Sequence, residues 1–320
     1  MANIEQVKAL LKAHFDENDE KFKTIALQIA AHEAKIGHTE SARDIKELVQ
    51  NVKNISKNKI LKLNNQLDVL EQRNTSDTLS DIVLTDVISE KIERVMHEYR
   101  KRNLLRKNGL KNRSKLLIAG EPGTGKTMTA SVLANELGLP LYVIQIDKLV
   151  TKYMGETSVK LRQVFEHIAE ISAVYLFDEF DAIGSDRDMD NDVGEMRRIL
   201  NSFLQYLEND DSYSIIVAAT NNPGLLDKAL FRRFDDVLVY SRPDKNQIYK
   251  LLKIKLDGFA NDKLFTDNIY NEIDGLNHAD IVKVCEEALK YSIMEDKEIT
   301  RDVLIQYIHD RKSLYQFKEA

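Results

Sequence analysis

The sequence has little of what secreted, disulfide-bonded and membrane-spanning proteins depend on. Its 320 residues include one cysteine, Cys285, so no disulfide can form within the chain. No apolar run is long enough to cross a bilayer. The first residues do not join a basic segment to an apolar core, so we expect no secretory signal. Together these absences predict a protein of the reducing cytoplasm that has no membrane partner.

The charge balance argues against a nucleic-acid partner. Charged residues make up 31% of the chain, but the net charge is −6. Proteins that grip nucleic-acid phosphates regardless of sequence need an excess of lysine and arginine. A motor or loader that acts on nucleic acid is therefore the least favoured interpretation, and we expect no nucleic acid among the partners.

Hydrophobic periodicity divides the chain into three regions. Residues 1–75 are predicted to be helical. Residues 76–241 alternate short apolar runs with helical patterns, which predicts a parallel sheet with helices on both faces. Residues 242–320 are helical again. The predicted strands are residues 115–119, 141–146, 173–177, 214–219 and 237–240.

The N-terminal region carries helical patterns but no motif with a chemical meaning. Apolar residues recur with helical spacing between Phe22 and Ala30, and again over residues 42–52. The polar run at residues 72–77 is typical of a linker. We expect residues 1–75 to form a small helical bundle that docks a partner or substrate.

Residues 120–127, GEPGTGKT, are the most informative segment. They match the phosphate-loop pattern of Gly, four residues, then Gly-Lys-Ser/Thr, between an apolar run and a helical pattern. Glycines let backbone N–H groups surround phosphates, and the helix N-terminus adds partial positive charge. Lys126 is expected to reach the β- and γ-phosphates, and Thr127 to offer its hydroxyl to Mg²⁺. The alternative is a chance glycine-rich turn, which the flanking strand and helix disfavour.

A carboxylate pair follows the apolar run at residues 173–177. Asp178 and Glu179 come directly after this predicted strand, at the end where parallel sheets bind ligands. Asp178 is expected to hold Mg²⁺, directly or through water, and Glu179 to orient and deprotonate the attacking water. Alone, the pair could be a solvated turn. Downstream of a phosphate loop, it indicates hydrolysis of a nucleoside triphosphate.

With these motifs the chain resembles an AAA+ ATPase of the protein-remodelling (AAA) branch, over residues 79–311. Residues 120–127 and 176–181 stand for its Walker A and Walker B segments. Three further resemblances follow in the family's order. They are the sensor-1 segment at residues 218–223, the arginine-finger segment at 226–235 and the sensor-2 segment at 275–281.

The resemblance implies a P-loop NTPase of the α/β class, whose parallel sheet is flanked by helices and followed by a C-terminal helical lid. Asn221 would help to place the attacking water beside Glu179. Arg232 and Arg233 would reach the nucleotide of an adjacent subunit, and the sequence does not choose between them. The implied contacts with ATP come from Ile82, Glu121, Pro122, Gly123, Thr124, Gly125, Lys126, Thr127, Met128, Asp178 and Ala279.

Three departures from the family pattern stand out. Glu121 replaces a common second proline, which puts a carboxylate near the phosphates unless its side chain points outward. His278 replaces a common glycine whose backbone contacts nucleotide. The arginine segment also lacks a Pro-Gly insertion that some members have.

Lys152, Tyr153 and Met154 stand where the family has its first pore loop. There an aromatic side chain projects into the channel of a hexameric ring, and it can grip an extended polypeptide through apolar contact. The resemblance therefore implies an ATP-driven unfoldase that threads protein substrates. Two alternatives stay open: Tyr153 could anchor its loop on its own domain, and the protein could be a nucleotide-switched assembly factor or regulator of a partner, such as a protease.

Overall fold

The computed structural model describes most of the chain. The described residues are 8–10, 12, 19–36, 43, 68–150, 154–184, 193–226, 228–261 and 264–316. They divide into two compact units, Met1–Leu67 and Asp68–Ala320. Within the described residues, no helix is long and apolar enough to cross a membrane.

The first unit contains helix α1 (Asp19–Lys35). Ile25 and Ile29 are buried on one face of this helix, so the amphipathic pattern predicted there is confirmed. Most of the helix predicted over residues 42–52 lies outside the described residues. The docking role of the region stays a prediction.

The second unit is built on a six-stranded sheet. All of the predicted strands are present, with shifts of one or two residues at their ends. The strand order is β1-β3-β4-β5-β2-β6, and every pairing is parallel except that of β1 with β3. The strands are β1 (Leu70–Arg73), β2 (Lys115–Gly120), β3 (Leu141–Ile144), β4 (Val174–Phe177), β5 (Ile215–Thr220) and β6 (Asp236–Tyr240).

Strand β1 corrects one expectation. Residues 70–73 end the region predicted to be helical, and Gln72 and Arg73 begin the polar run that predicts a linker, yet Gln72 and Arg73 pair with Tyr142 and Leu141 of β3. None of the four residues of β1 is buried, so the strand needs no apolar sequence and is held by backbone pairing with β3. Its polar composition is therefore the same as that of a linker, and the sequence pattern did not distinguish the two.

Helices cover both faces of the sheet. On one face, α2 and α4 pack against alternate strand residues such as Ile118, Leu176 and Val217. On the other face, Phe177 of β4 packs against Phe203 of α8, with ring centroids 5.1 Å apart. The helices of this part are α2 (Asp86–Arg100), α3 (Arg102–Lys107), α4 (Lys126–Leu137), α5 (Ile146–Leu149), α6 (Met154–Glu170), α7 (Asp181–Gly184), α8 (Val193–Asn209) and α9 (Lys228–Phe231).

Four helices after the sheet form the C-terminal part, with an apolar core of its own. They are α10 (Lys245–Lys255), α11 (Asp267–Ile273), α12 (His278–Glu295) and α13 (Arg301–Gln316). Cys285 of α12 is fully buried in this core, as its helical spacing predicts. Burial raises the pKa of the Cys285 thiol to about 12, which keeps it in the unreactive thiol form.

A buried charge ties α13 to the start of α12. Asp280 is 2% exposed, and its Oδ1 accepts a hydrogen bond of 2.8 Å from Arg311 Nε. The hydroxyl of Tyr315 donates to the same carboxylate at 2.8 Å. The carboxylate is therefore desolvated but satisfied, which is the condition for a buried charge to be tolerated.

We expect Arg311→Ala to destabilise the C-terminal helices by about 2 kcal/mol, because Asp280 would stay buried with less compensation. The free energy of unfolding from urea titration measures this loss. Lys283→Ala is the matched control, since Lys283 pairs with the exposed Glu286 one turn along the same helix. Equal stability of the two variants would contradict the prediction.

Candidate nucleotide-binding site

The sheet topology brings the sequence motifs to one edge. Strand β5 lies between β2 and β4 and is parallel to both. The carboxyl end of β2 leads into residues 120–127, that of β4 into Asp178 and Glu179, and that of β5 into Asn221. Ligands of parallel sheets bind outside the carboxyl ends of the strands. These motifs, distant in sequence, therefore face one crevice.

The phosphate loop depends on glycine at two positions. Gly123 has φ +76° and Gly125 has φ +100°, in the left-handed region that side chains with a Cβ disfavour. A Cβ at Gly123 would lie 2.8 Å from Oδ1 of Asn277, which is too close. A Cβ at Gly125 would lie 3.7 Å from Ile82 Cδ1, so Ile82 lies beside the loop. Helix α4 begins directly after Gly125, at Lys126.

Lys126 points back into its own loop. Its Nζ donates hydrogen bonds of 2.8 Å to the carbonyl oxygens of Gly120 and Glu121. The side chain is buried, and this desolvation lowers the pKa of Lys126, while Asp178 and Asp181 act in the opposite direction. A desolvated ammonium at a helix N-terminus is a strong counter-charge for phosphate.

The site offers oxygen ligands that fit Mg²⁺. The hydroxyl of Thr127 donates to Asp178 Oδ2 at 2.8 Å, so both groups can face one ion. Mg²⁺ in phosphate-binding sites takes few protein ligands and completes its shell with water and phosphate oxygens. Thr127 and Asp178 would hold the ion.

Glu179 adopts a strained backbone conformation. Its φ is +53°, a left-handed value that costs a residue other than glycine about 1 kcal/mol. Local bonds hold the turn: its N–H donates to Asp178 Oδ1 at 3.0 Å, and its carbonyl accepts from the Ala182 N–H at 2.9 Å. The turn leaves the Glu179 side chain exposed, as a base that activates water must be.

Asp181 joins two of the predicted motifs, although its sequence position alone assigned it no role. Its Oδ1 accepts a hydrogen bond of 3.1 Å from the Thr220 hydroxyl and one of 3.3 Å from the Asn221 N–H. Asp181 thereby ties the carboxylate turn after β4 to the end of β5. Its position inside the Walker B segment, two residues after Glu179, was the available signal.

Tyr240 of β6 contacts the phosphate loop, and no sequence motif predicted this contact. Its hydroxyl lies 2.5 Å from the Thr129 hydroxyl, and Thr129 Oγ1 lies 3.0 Å from the Gly125 carbonyl oxygen. A Cβ at Gly120 would lie 2.7 Å from the Tyr240 Cβ, so the strands approach closely here. Burial raises the pKa of Tyr240, which keeps the phenol protonated.

The C-terminal helices reach the loop through the start of α12. The Ala279 N–H donates to the Gly123 carbonyl at 2.9 Å, and Asn277 caps α12 by accepting from the Asp280 N–H at 2.8 Å. His278 lies between them, and its ring nitrogens are buried without a hydrogen-bond partner in the described part of the chain. Burial lowers the pKa of His278, which favours the neutral ring.

The other expected contact residues lie within or beside the loop. The Thr124 hydroxyl donates to the Glu121 carbonyl at 2.8 Å. Pro122 is exposed, and Met128 is half-buried in the first turn of α4. The Glu121 carboxylate is exposed and accepts a hydrogen bond of 2.8 Å from Arg242 Nε.

The two candidate arginine fingers are both exposed after α9. Arg233 forms an ion pair with Glu208 at the end of α8. Arg232 has no such partner among the described residues. Lys152 and Tyr153 of the candidate pore loop lie outside the described residues, and Met154 is the first residue of α6.

Comparison with known proteins identifies the family. The family described as "ATPase family associated with various cellular activities (AAA)" matches residues 116–242, which span the sheet from β2 to the end of β6. An uncharacterized AAA family ATPase of Sinorhizobium fredii, y4kL, is 34% identical over 93% of this chain and 92% of its own length. The chain belongs to the AAA ATPases.

Other members of the family that resemble this chain have names that refer to proteolysis. A putative 26S proteasome regulatory subunit homolog of Methanothermobacter thermautotrophicus is 31% identical over 79% of the chain and 69% of its own length. An ATP-dependent zinc metalloprotease, FtsH of Rhodothermus marinus, is 30% identical over 69% of the chain but 33% of its own length. This AAA ATPase therefore groups with the protein-remodelling branch of the family.

We expect Lys126→Ala to abolish ATP binding, because the phosphates lose their buried counter-charge. Glu179→Gln should bind ATP but lose hydrolysis, because the amide cannot accept a proton from water. Equilibrium binding of a fluorescent ATP analogue and release of phosphate measure the two steps. Hydrolysis at the wild-type rate by Glu179→Gln would remove Glu179 from the base role.

Proposed function

We propose that this AAA ATPase hydrolyses ATP with Mg²⁺ as a hexameric ring in the cytoplasm, and that it threads protein substrates through a central pore to unfold them. One observation carries the catalytic part: Lys126, the Thr127–Asp178 pair and Glu179 lie around one sheet edge. Phosphoryl transfer needs a counter-charge, a metal site and a positioned water, and these residues can supply all of them.

Each residue has a role that its surroundings support. Lys126 would bind the β- and γ-phosphates, since its ammonium is buried at the start of α4. When bound, Mg²⁺ would neutralise charge that develops on the phosphates. Glu179 would accept the proton of the attacking water, and Asn221 would orient that water. Asp181 would position Asn221 through the hydrogen bond to its backbone.

Two exposed arginines support the proposed ring. A guanidinium on the surface can enter the nucleotide site of a neighbouring subunit and stabilise charge in the transition state. Arg232 and Arg233 stand at such a position, after α9 and before β6.

A protein substrate is supported by the relatives. The names of two of them, a proteasome regulatory subunit homolog and a metalloprotease, both refer to proteolysis. The aromatic residue in the candidate pore loop, Tyr153, suits the gripping of an extended chain. The proposed partners therefore include a protease.

Tyr153→Ala tests threading. We expect normal ATP binding and assembly but a sharp loss of substrate unfolding, since alanine offers little surface for grip. Tyr153→Phe is the matched control and should keep most unfolding activity, because it keeps the aromatic ring that contacts the substrate and removes only the hydroxyl. ATPase rate and loss of fluorescence from a captured folded substrate measure the two activities. Normal unfolding by Tyr153→Ala would favour a nucleotide-switched assembly factor instead.

Arg232→Ala and Arg233→Ala test the ring. Each should lower turnover, by as much as about 10³ for a principal finger, with ATP affinity nearly unchanged. Mixing either variant with Lys126→Ala subunits should restore part of the activity, because some interfaces then combine an intact phosphate loop with an intact finger. A fully active monomer in mass measurements with ATP would overturn the supply of the finger in trans.

A further inference from the structure

Arg242 links the phosphate loop to the C-terminal helices. It lies between β6 and α10, where the chain leaves the sheet. Its Nε donates to Glu121 Oε2 at 2.8 Å, and its Nη1 donates to the carbonyl oxygen of Gly275 at 3.0 Å. Gly275 lies just before α12. One guanidinium therefore contacts both the loop and the segment that leads into the helix seated on it.

The neighbouring contacts show how closely α12 approaches the loop. The Ala279 N–H bonds the Gly123 carbonyl at 2.9 Å. Asn277 approaches Gly123 so closely that a Cβ there would lie 2.8 Å from Asn277 Oδ1. These contacts involve the loop backbone, so mutation there would deform the phosphate site itself. Arg242 and Glu121 act through side chains, which can be changed while the backbone of the loop is kept.

The chemistry of arginine suits this double contact. A guanidinium is planar and carries several donors in a fixed arrangement, so it can serve two acceptors at once. A bond from a charged donor to a carboxylate is stronger than one between neutral groups. Both side chains are 55% exposed, so water and salt screen the pair and its contribution is modest.

We propose that Arg242 is a positioning residue that holds the start of α12 on the phosphate loop and thereby slows the release of nucleotide. This inference rests on the proposed nucleotide site at residues 120–127. It also gives a role to Glu121, which stands where the family commonly has a proline: Glu121 is the acceptor on the loop side. Proline could not accept this bond, so the link belongs to the particular pairing of side chains in this chain.

Release of a fluorescent ADP from the full-length protein, measured by stopped flow with Mg²⁺, tests the link. Arg242→Ala should release ADP about fivefold faster than wild type, the scale expected for an exposed charged contact. Arg242→Lys should release ADP at a rate between those of wild type and Arg242→Ala, since an ammonium keeps the charge but not the planar arrangement of donors. Lys283→Ala, which removes an exposed ion pair elsewhere on α12, should release ADP at the wild-type rate.

Two further readouts separate a link from a merely structural role. The double variant Glu121→Gln/Arg242→Ala should release ADP no faster than Arg242→Ala, because the contact is already lost. Raising the salt concentration should speed ADP release from wild type, because screening weakens the Arg242–Glu121 pair. The release rates of wild type and Arg242→Ala should then differ less.

The proposal is overturned if Arg242→Ala and Lys283→Ala release ADP equally fast. It is also overturned if the double variant releases ADP as slowly as wild type, since Arg242 would then only neutralise the charge of Glu121. Failure of the nucleotide site looks different. In that case wild type and Lys126→Ala would bind ATP equally weakly. If only the link fails, Lys126→Ala still binds ATP more weakly than wild type.

Discussion

The parallel pairing of β5 with both β2 and β4 is the constraint on which the candidate site depends. Parallel strands end at the same edge, so the segments that follow them must converge. The phosphate loop, the carboxylate turn and Asn221 are separated by many residues in sequence but follow three neighbouring strands of the sheet, β2, β4 and β5. Because β5 pairs with both β2 and β4, it fixes the position of Lys126 relative to Glu179.

Close packing then sets the shape of the phosphate loop. Tyr240 presses against Gly120 on one side, and Asn277 presses against Gly123 on another. At both positions a Cβ would lie too close to these neighbours, and at Gly123 the left-handed backbone also favours glycine. Both β6 and α12 therefore hold the loop. Movement of α12 would change the conformation of the loop directly.

The turn at Glu179 is held by hydrogen bonds against an unfavourable backbone conformation. Glu179 has an unfavourable left-handed conformation, which the surrounding bonds maintain. The N–H of the next residue, Phe180, donates to the Ala219 carbonyl of β5 at 2.8 Å, and the Phe180 side chain is fully buried. Asp181 then bonds Thr220 and Asn221. Phe180 and Asp181 thus connect the turn after β4 to β5, and they link Glu179, the proposed base, to Asn221, the residue proposed to orient water.

The local chemistry of this protein was determined by its sequence. Residues 120–127 and the pair Asp178–Glu179 carry patterns whose meaning depends on neighbours along the chain, and the strands that bear them could be predicted because buried parallel strands are apolar throughout. The same holds for Cys285, whose helical spacing placed it in a core.

Tertiary structure alone decided the contacts between distant segments. The polar strand β1, the support of the loop by Tyr240, the bond from Asp181 to Asn221 and the bridge from Arg242 to Glu121 have no local pattern. Each joins residues that are ordinary in their own segments. Pairing across a sheet and packing of helices onto it depend on the whole fold, and that is why periodicity and motif spacing could not reveal them.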